Sequence, residues 1–221
     1  MPNLIRNFQS YWLAETLLIM LVAAVFVLPV IMEFSNHGVL LFNILLLSVF
    51  FSGIFSTRNV WLIALTAILF SIHLSLRLIR FGENPYSFFV LENVIAIANA
   101  LVFIFINLQL LFRDNIVNAY RIIGAVNVYL LMALVGALTL EVIHVATGVS
   151  IGGNVLLSGK DDDYAQFIYF SLASLTTVGF GDIHAVNASS RMLATFLSTV
   201  GVLFPAIVIA RLVGLAASQK S

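Results

Sequence analysis

The sequence predicts an all-α integral membrane protein with six transmembrane helices and a re-entrant helix and loop between the fifth and sixth. Three observations carry that expectation. The 221-residue chain is 62% hydrophobic and 9% charged, whereas ordinary soluble domains carry about a quarter charged residues. Six apolar segments approach the roughly 20 residues that cross a bilayer core in helix. A seventh, residues 164–175 (YAQFIYFSLASL), is apolar but too short to cross.

The six long segments run over 13–32, 38–55, 60–79, 88–112, 121–146 and 190–214. Polar or turn-rich stretches separate them: Glu33 to His37, Ser56 to Asn59, Arg80 to Ser87 and Arg113 to Asn118. Asn84-Pro85 marks a turn before the fourth segment, because the residue before a proline is steered away from helix. Arg6 before an apolar run resembles the start of a signal peptide. The run from Leu13 to Met32 is nevertheless long enough to span, and no small-x-small cleavage site follows it. It reads as a retained helix. Residues 147–163 are rich in Gly, Ser and Asp and read as a loop. A short apolar helix leaving that loop between two full spans suggests a segment that dips in and returns.

Composition also excludes functions. Net charge is zero, with ten basic and ten acidic residues, so nothing points to nucleic acid. There is no cysteine, which rules out disulfides and thiol chemistry. No paired carboxylates, metal cluster or nucleophile–base set suggests an enzyme, and no cofactor is expected. No soluble ligand-binding domain is seen. With the N-terminus inside, Arg6, Arg58, Arg113, Arg121, Arg211 and Lys220 fall on the inner side; Arg77, Arg80, Lys160 and Arg191 fall outside. That bias supports cytoplasmic termini only weakly. Parity is stronger: four helices return the chain to the inside before the fifth begins. The expected location is the plasma membrane.

The short helix leads into Thr176-Thr177-Val178-Gly179-Phe180-Gly181-Asp182. A potassium ion entering a membrane must lose water, and rings of backbone carbonyls can replace it. Glycine at alternating positions permits the dihedrals that aim such carbonyls inward. Thr177 can add a hydroxyl ring. Val178 and Phe180 would face away and wedge the loop against protein. Asp182 would sit at the mouth, where negative charge concentrates cations.

The stretch TTVGFGD closely resembles the potassium-channel signature, in which the aromatic is usually Tyr and sometimes Phe. The similarity extends over residues 120–214. It implies that the carbonyls of Thr177, Val178, Gly179 and Phe180 coordinate K+, with the Thr177 hydroxyl closing the innermost site. Thr176 and Gly181 flank them. The negative end of the pore helix would favour a cation. The pattern departs from the family in places. Phe180 lacks the tyrosine hydroxyl; Tyr169 and Phe170 stand where relatives often have Trp; Ala173 stands where some bacterial relatives have Glu. These departures predict a more apolar support behind the filter and put filter-based inactivation of the bacterial sort in doubt.

In the last helix, Gly201 and Pro205 soften the rod and lie near one face. In similar channels a glycine near this place acts as a hinge; ordinary membrane-helix composition is the alternative, and the spacing from the filter favours the hinge. Arg211 reads as an interfacial anchor.

Six helices with the filter before the last also describe voltage-gated channels. Those carry Arg at every third residue of the fourth helix. Here Phe88 to Phe112 has no Lys or Arg, but Glu92, Asn93, Asn99, Asn107 and Gln109. Moving one charge is worth about 2.3 kcal/mol per 100 mV, so this helix has almost no lever on voltage. His73, Arg77 and Arg80 share one face of the third helix. They read either as a small charge or pH sensor, partnered by Glu83 or Glu92, or as a packing contact whose arginines snorkel. The packing reading is favoured. Glu15, Glu141 and His144 are further intramembrane or near-interface ionisable groups, and the Asn187-Ala188-Ser189 sequon reads as incidental.

The expected organisation is a peripheral four-helix part, residues 1–112, and a pore part, residues 113–221. The latter has an outer helix, a pore helix over 164–175, a filter over 176–182 and an inner helix over 190–214. One filter per chain predicts a homotetramer, because a closed ring of carbonyls needs about four loops. The expected partners are K+ and membrane lipids. The alternatives are the membrane subunit of a potassium transporter or a weakly selective cation channel.

Overall fold

The structure, a computed structural model, describes residues 14–35, 37–57, 59–80, 88–113, 119–158 and 161–218. Arg6, Leu13, Arg58, Glu83, the Asn84-Pro85 turn, Lys160 and Lys220 lie outside the described residues, as does the side chain of Arg113.

The described chain is helical apart from one small ribbon and the connecting loops. We number the helices α1 (Ala14–Phe34), α2 (Gly38–Ile54), α3 (Val60–Arg80), α4 (Phe89–Arg113), α5 (Ala119–Thr147), α6 (Tyr164–Leu175) and α7 (Ala188–Ser218). Five of them, α1, α3, α4, α5 and α7, are long and apolar enough to cross a membrane. The protein is therefore a multi-pass, all-α integral membrane protein. α2 is equally apolar but has 17 residues, about 26 Å of helix, at the lower limit for a bilayer core of about 30 Å. The expected 38–55 span is thus shorter than its hydropathy suggests, because Phe55 and Ser56 already turn out of the helix.

A second departure lies in the loop after α5. Ile151–Gly153 forms a strand, β1, paired antiparallel with β2, Ile183–Ala185. The run is too short and glycine-rich for periodicity to reveal it. The ribbon ties the loop before α6 to the chain leaving the Thr176–Asp182 loop.

α1 contains a π-helical turn over Ala23–Val27, just before Pro29. There the Leu28 N–H bonds the carbonyl of Ala23 rather than that of Ala24. The next donor in this register would be Pro29, which has none. The Ala24 carbonyl is thereby orphaned, and the Tyr164 hydroxyl donates to it at 3.0 Å. A proline fault in the first helix thus becomes an anchor for the first residue of α6.

One apolar core joins both parts of the chain. It includes Leu17 and Leu21 of α1, Phe50 of α2, Phe103 of α4, Leu131 and Leu134 of α5, and Tyr164 and Phe167 of α6. The widest helix interface is between α4 and α5. α4 buries Asn93, Asn99 and Asn107, and α5 buries Asn127 and Glu141. Asn107 bonds back to the Phe103 carbonyl at 2.8 Å, Asn127 donates to the Ala14 carbonyl at 3.1 Å, and Asn93 donates to Glu141 at 3.1 Å. Side-chain amides inside a membrane gain more by finding such partners than by facing lipid.

Two arginine expectations need correction. Arg77 does not snorkel: its side chain is 2% exposed and its Nε lies 2.5 Å from Glu92. Arg80 bonds both Glu92 and Asp161. Of the two partners considered for the stripe, Glu92 is observed and Glu83 lies outside the described residues; Asp161 was not anticipated. His73 is fully buried, edge-on to Phe50 at 5.3 Å. At the other end of the molecule, Arg211 donates to the Phe112 carbonyl at 2.7 Å and lies over the Phe112 ring. It satisfies the carbonyl end of α4, where positive charge is favoured. Asn187 caps α7: its Oδ1 accepts from the Ser190 N–H at 2.8 Å, and its amide donates to Thr147 and Val149. Glu15 is exposed, and His144 lies against Phe167.

Candidate ion-coordinating loop

α6 has twelve residues and lies between α5 and α7. Ser171 donates to the Ala133 carbonyl of α5 at 2.7 Å, and Ser198 of α7 donates to the Ser174 carbonyl at 2.8 Å. Tyr129 of α5 reaches the Leu175 carbonyl at 3.3 Å. The C-terminal end of α6 is held from both sides.

A helix ends with four carbonyls lacking helical donors. Here the following loop supplies most of them. The N–H of Thr176 bonds the Leu172 carbonyl at 2.8 Å, and that of Thr177 bonds Ser174 at 3.1 Å. The N–H groups of Val178 and Gly179 both bond Ala173, at 3.1 and 3.4 Å. The Thr176 hydroxyl also turns back, to Leu172 at 2.7 Å. Every N–H from Thr176 to Gly179 is thus spent on the helix behind it.

The carbonyls are left over. Among the described residues, no hydrogen bond is accepted by the backbone oxygens of Thr177, Val178, Gly179 or Phe180. The backbone explains why. Thr177, Gly179 and Gly181 have φ of 59°, 55° and 84°, while Val178 and Phe180 between them do not have positive φ. Alternating handedness turns successive peptide planes the same way, so N–H groups share one side and carbonyls the other. Glycine reaches these dihedrals freely. Thr177 has a Cβ, and holding it there costs about 1–3 kcal/mol, a strain often found at working sites.

The outer side is anchored too. Asp182 accepts from the Tyr169 hydroxyl at 2.7 Å, and its carbonyl accepts from the Asn154 N–H at 3.0 Å. Phe180 stacks on Tyr169 at 6.4 Å with rings nearly parallel. The support expected to be apolar is therefore partly polar: Tyr169 brings a hydroxyl that the comparison with tryptophan did not anticipate. That bond also holds the Asp182 carboxyl below the usual carboxylate range. Val178 is 53% exposed and Phe180 73%, so apart from the Tyr169 stack the described chain does not supply the packing expected of them.

Gly201 and Pro205 lie in a continuous α7. Gly201 is buried, and a Cβ built there would stand 1.6 Å from the Leu175 carbonyl oxygen. Glycine is required at this point because α6 ends directly on α7.

Residues 129–217 match the family model described as ion channel. The match covers the last two-thirds of α5, the loop, α6 and α7 to near its end, which is less than half of the chain. It supports an ion channel, and hence a protein that is not an enzyme. Searches among curated proteins and among solved structures found no match.

Proposed function

We propose that the chain is one subunit of a homotetrameric, potassium-selective channel, with K+ passing between four Thr176–Asp182 loops. The observation that carries this reading is the division of the loop's backbone: N–H groups bonded to α6, carbonyls of Thr177, Val178, Gly179 and Phe180 free on the other side. Four such rows around an axis replace the water of a dehydrated cation. Non-helical backbone at membrane depth must be surrounded by protein or water. One chain gives the loop only one wall, which is why further copies are needed. α6 is then the re-entrant pore helix and α7 the inner helix, with Gly201 and Pro205 available for gating. α2 serves as a short sixth span, and the termini are cytoplasmic in the plasma membrane.

The first four helices lack a voltage lever. α4 has no positive charge before Arg113, and Arg77 and Arg80 are neutralised by buried carboxylates. Purified protein should run as a tetramer by mass and conduct K+ well above Na+ in liposomes, with a shallow voltage response in symmetric solution. A conducting monomer or dimer, equal Na+ and K+ flux, or steep sigmoidal activation would each overturn the corresponding part.

Tyr169→Phe tests the mouth. Asp182 has a lowered pKa because Tyr169 donates to it, so its charge is present at neutral pH and lost only as pH falls through that lowered value. Without the hydroxyl the pKa rises toward the ordinary carboxylate. Acid inhibition of inward current should therefore begin at higher external pH in the variant. Coincident pH curves for the two proteins would show that the bond does not set the charge at the mouth.

A further inference from the structure

The pore helix is held at its filter end by α5 and α7, but its opposite end rests on the peripheral helices. Asp161 opens a single 3-10 turn, Asp161–Asp163, that leads into α6. Its carboxylate is bonded by the Arg80 guanidinium of α3, and Asn43 of α2 donates to the same Oδ2 at 3.4 Å. Arg80 also lies 3.4 Å from both oxygens of Glu92 on α4, and Glu92 is held in turn by Arg77. Asp161, Glu92 and Arg77 are each at most 3% exposed. Two arginines face two carboxylates, and the cluster joins α2, α3 and α4 to the start of the pore helix. Among the described residues, Arg80 is the one group bonded to both acids.

We propose that Arg80 is a positioning residue for the filter: through Asp161 it fixes the N-terminal end of the pore helix, and thereby where the Thr176–Gly181 backbone sits. This rests on the channel reading above. The mechanical link is short. The helix of twelve residues is about 18 Å long, and the loop's N–H groups bond directly to its last turn. A displacement at Asp161 is therefore carried to the carbonyls of Thr177, Val178 and Gly179 rather than absorbed by an intervening linker. A buried ion pair does not favour a fold by itself, but loss of one partner leaves an uncompensated buried charge. Such a cluster therefore has one well-defined arrangement.

Asp161→Asn, Arg80→Gln and Arg80→Lys test this, with Ile106→Ala as a control that weakens the buried core of α4 about 21 Å along that helix from Glu92. Two readouts are compared with thermal stability of the assembly: the K+ to Na+ permeability ratio, and amide exchange across Thr176–Gly181. In Asp161→Asn and Arg80→Gln, exchange in the loop should quicken about tenfold or more and the permeability ratio should fall. Arg80→Lys should recover much of both. Ile106→Ala should lower stability yet leave both at wild-type values. If Arg80→Gln and Asp161→Asn change stability alone, as Ile106→Ala does, the role is merely structural and the proposal fails. If the unmodified protein conducts no K+, the channel reading falls; amide exchange, which needs no current, then still decides whether Arg80 positions the loop. Should Arg80→Gln not fold, the milder Asp161→Asn carries the same comparison.

Discussion

Gly179→Val is expected to abolish K+ flux while leaving a folded, membrane-inserted protein. Gly179 has φ of 55°, a region where a β-branched residue is a true outlier. Forcing it there costs about 1–3 kcal/mol, and a tetramer would bear that cost four times around one axis. The loop escapes by turning a peptide plane, which aims a carbonyl away from the ion path. The space itself is not the obstacle, since a Cβ at Gly179 would meet nothing within 4 Å of its own chain. Gly148→Val is the matched control. Gly148 has φ of 79° and open surroundings, but it lies just past the end of α5, outside the loop. Equal backbone strain there should leave selectivity untouched. Liposome flux of K+ and Na+ measures both. Persistent K+-selective flux in Gly179→Val would mean that these carbonyls do not form the path.

Gly201→Ala is expected to have the second large effect, and it separates two explanations of the same glycine. As a hinge, Gly201 would lend α7 flexibility, and alanine would alter opening with the assembly intact. As a contact point, it lets the Leu175 carbonyl approach within van der Waals range of the α7 backbone. The added carbon would lie 1.6 Å from that oxygen and 2.7 Å from its carbonyl carbon. Both atoms are backbone, so no side chain can swing aside. α6 and α7 must separate, which also strains the bonds from Ser198 to Ser174 and from Tyr129 to Leu175. Overpacking of this kind costs about 1–3 kcal/mol per site, repeated in each subunit. A marked fall in melting temperature with loss of selectivity is the expected outcome. A stable variant with altered open times alone would assign Gly201 to the hinge. Pro205 bears on the same point, because it lacks the N–H that would otherwise bond the Gly201 carbonyl four residues earlier. The glycine therefore combines a close contact on one side with a carbonyl that lacks its usual donor four residues on.

Membrane residence and the five long apolar helices were legible in the chain because hydropathy is a local property. About 20 consecutive apolar residues have one physical solution in lipid. The glycine positions of the loop were legible for a related reason: Gly179 and Gly181 alternate with Val178 and Phe180, and glycine permits dihedrals closed to other residues. The left-handed conformation of Thr177 was not legible, since its side chain disfavours it. Local composition could not reveal partners distant in sequence. Asp161 lies 81 residues from Arg80, and nothing near either one identifies the other. The partly polar mouth was missed because Tyr169 was weighed against tryptophan by type, whereas its hydroxyl matters through its reach to Asp182. The Tyr164 bond to Ala24 depends on a π-helical turn that hydropathy does not register.

The sequence by itself thus determined the solvent this protein lives in, the order of its long apolar helices and the alternating glycines of one loop, since each is a matter of residues adjacent along the chain. Only the tertiary structure decided what holds that loop in place: the Leu175 carbonyl against Gly201, the Tyr169 hydroxyl on Asp182 and the buried cluster at Arg80. Each of these is a contact between helices, set by packing and by the high cost of leaving a charge or carbonyl unpaired away from water.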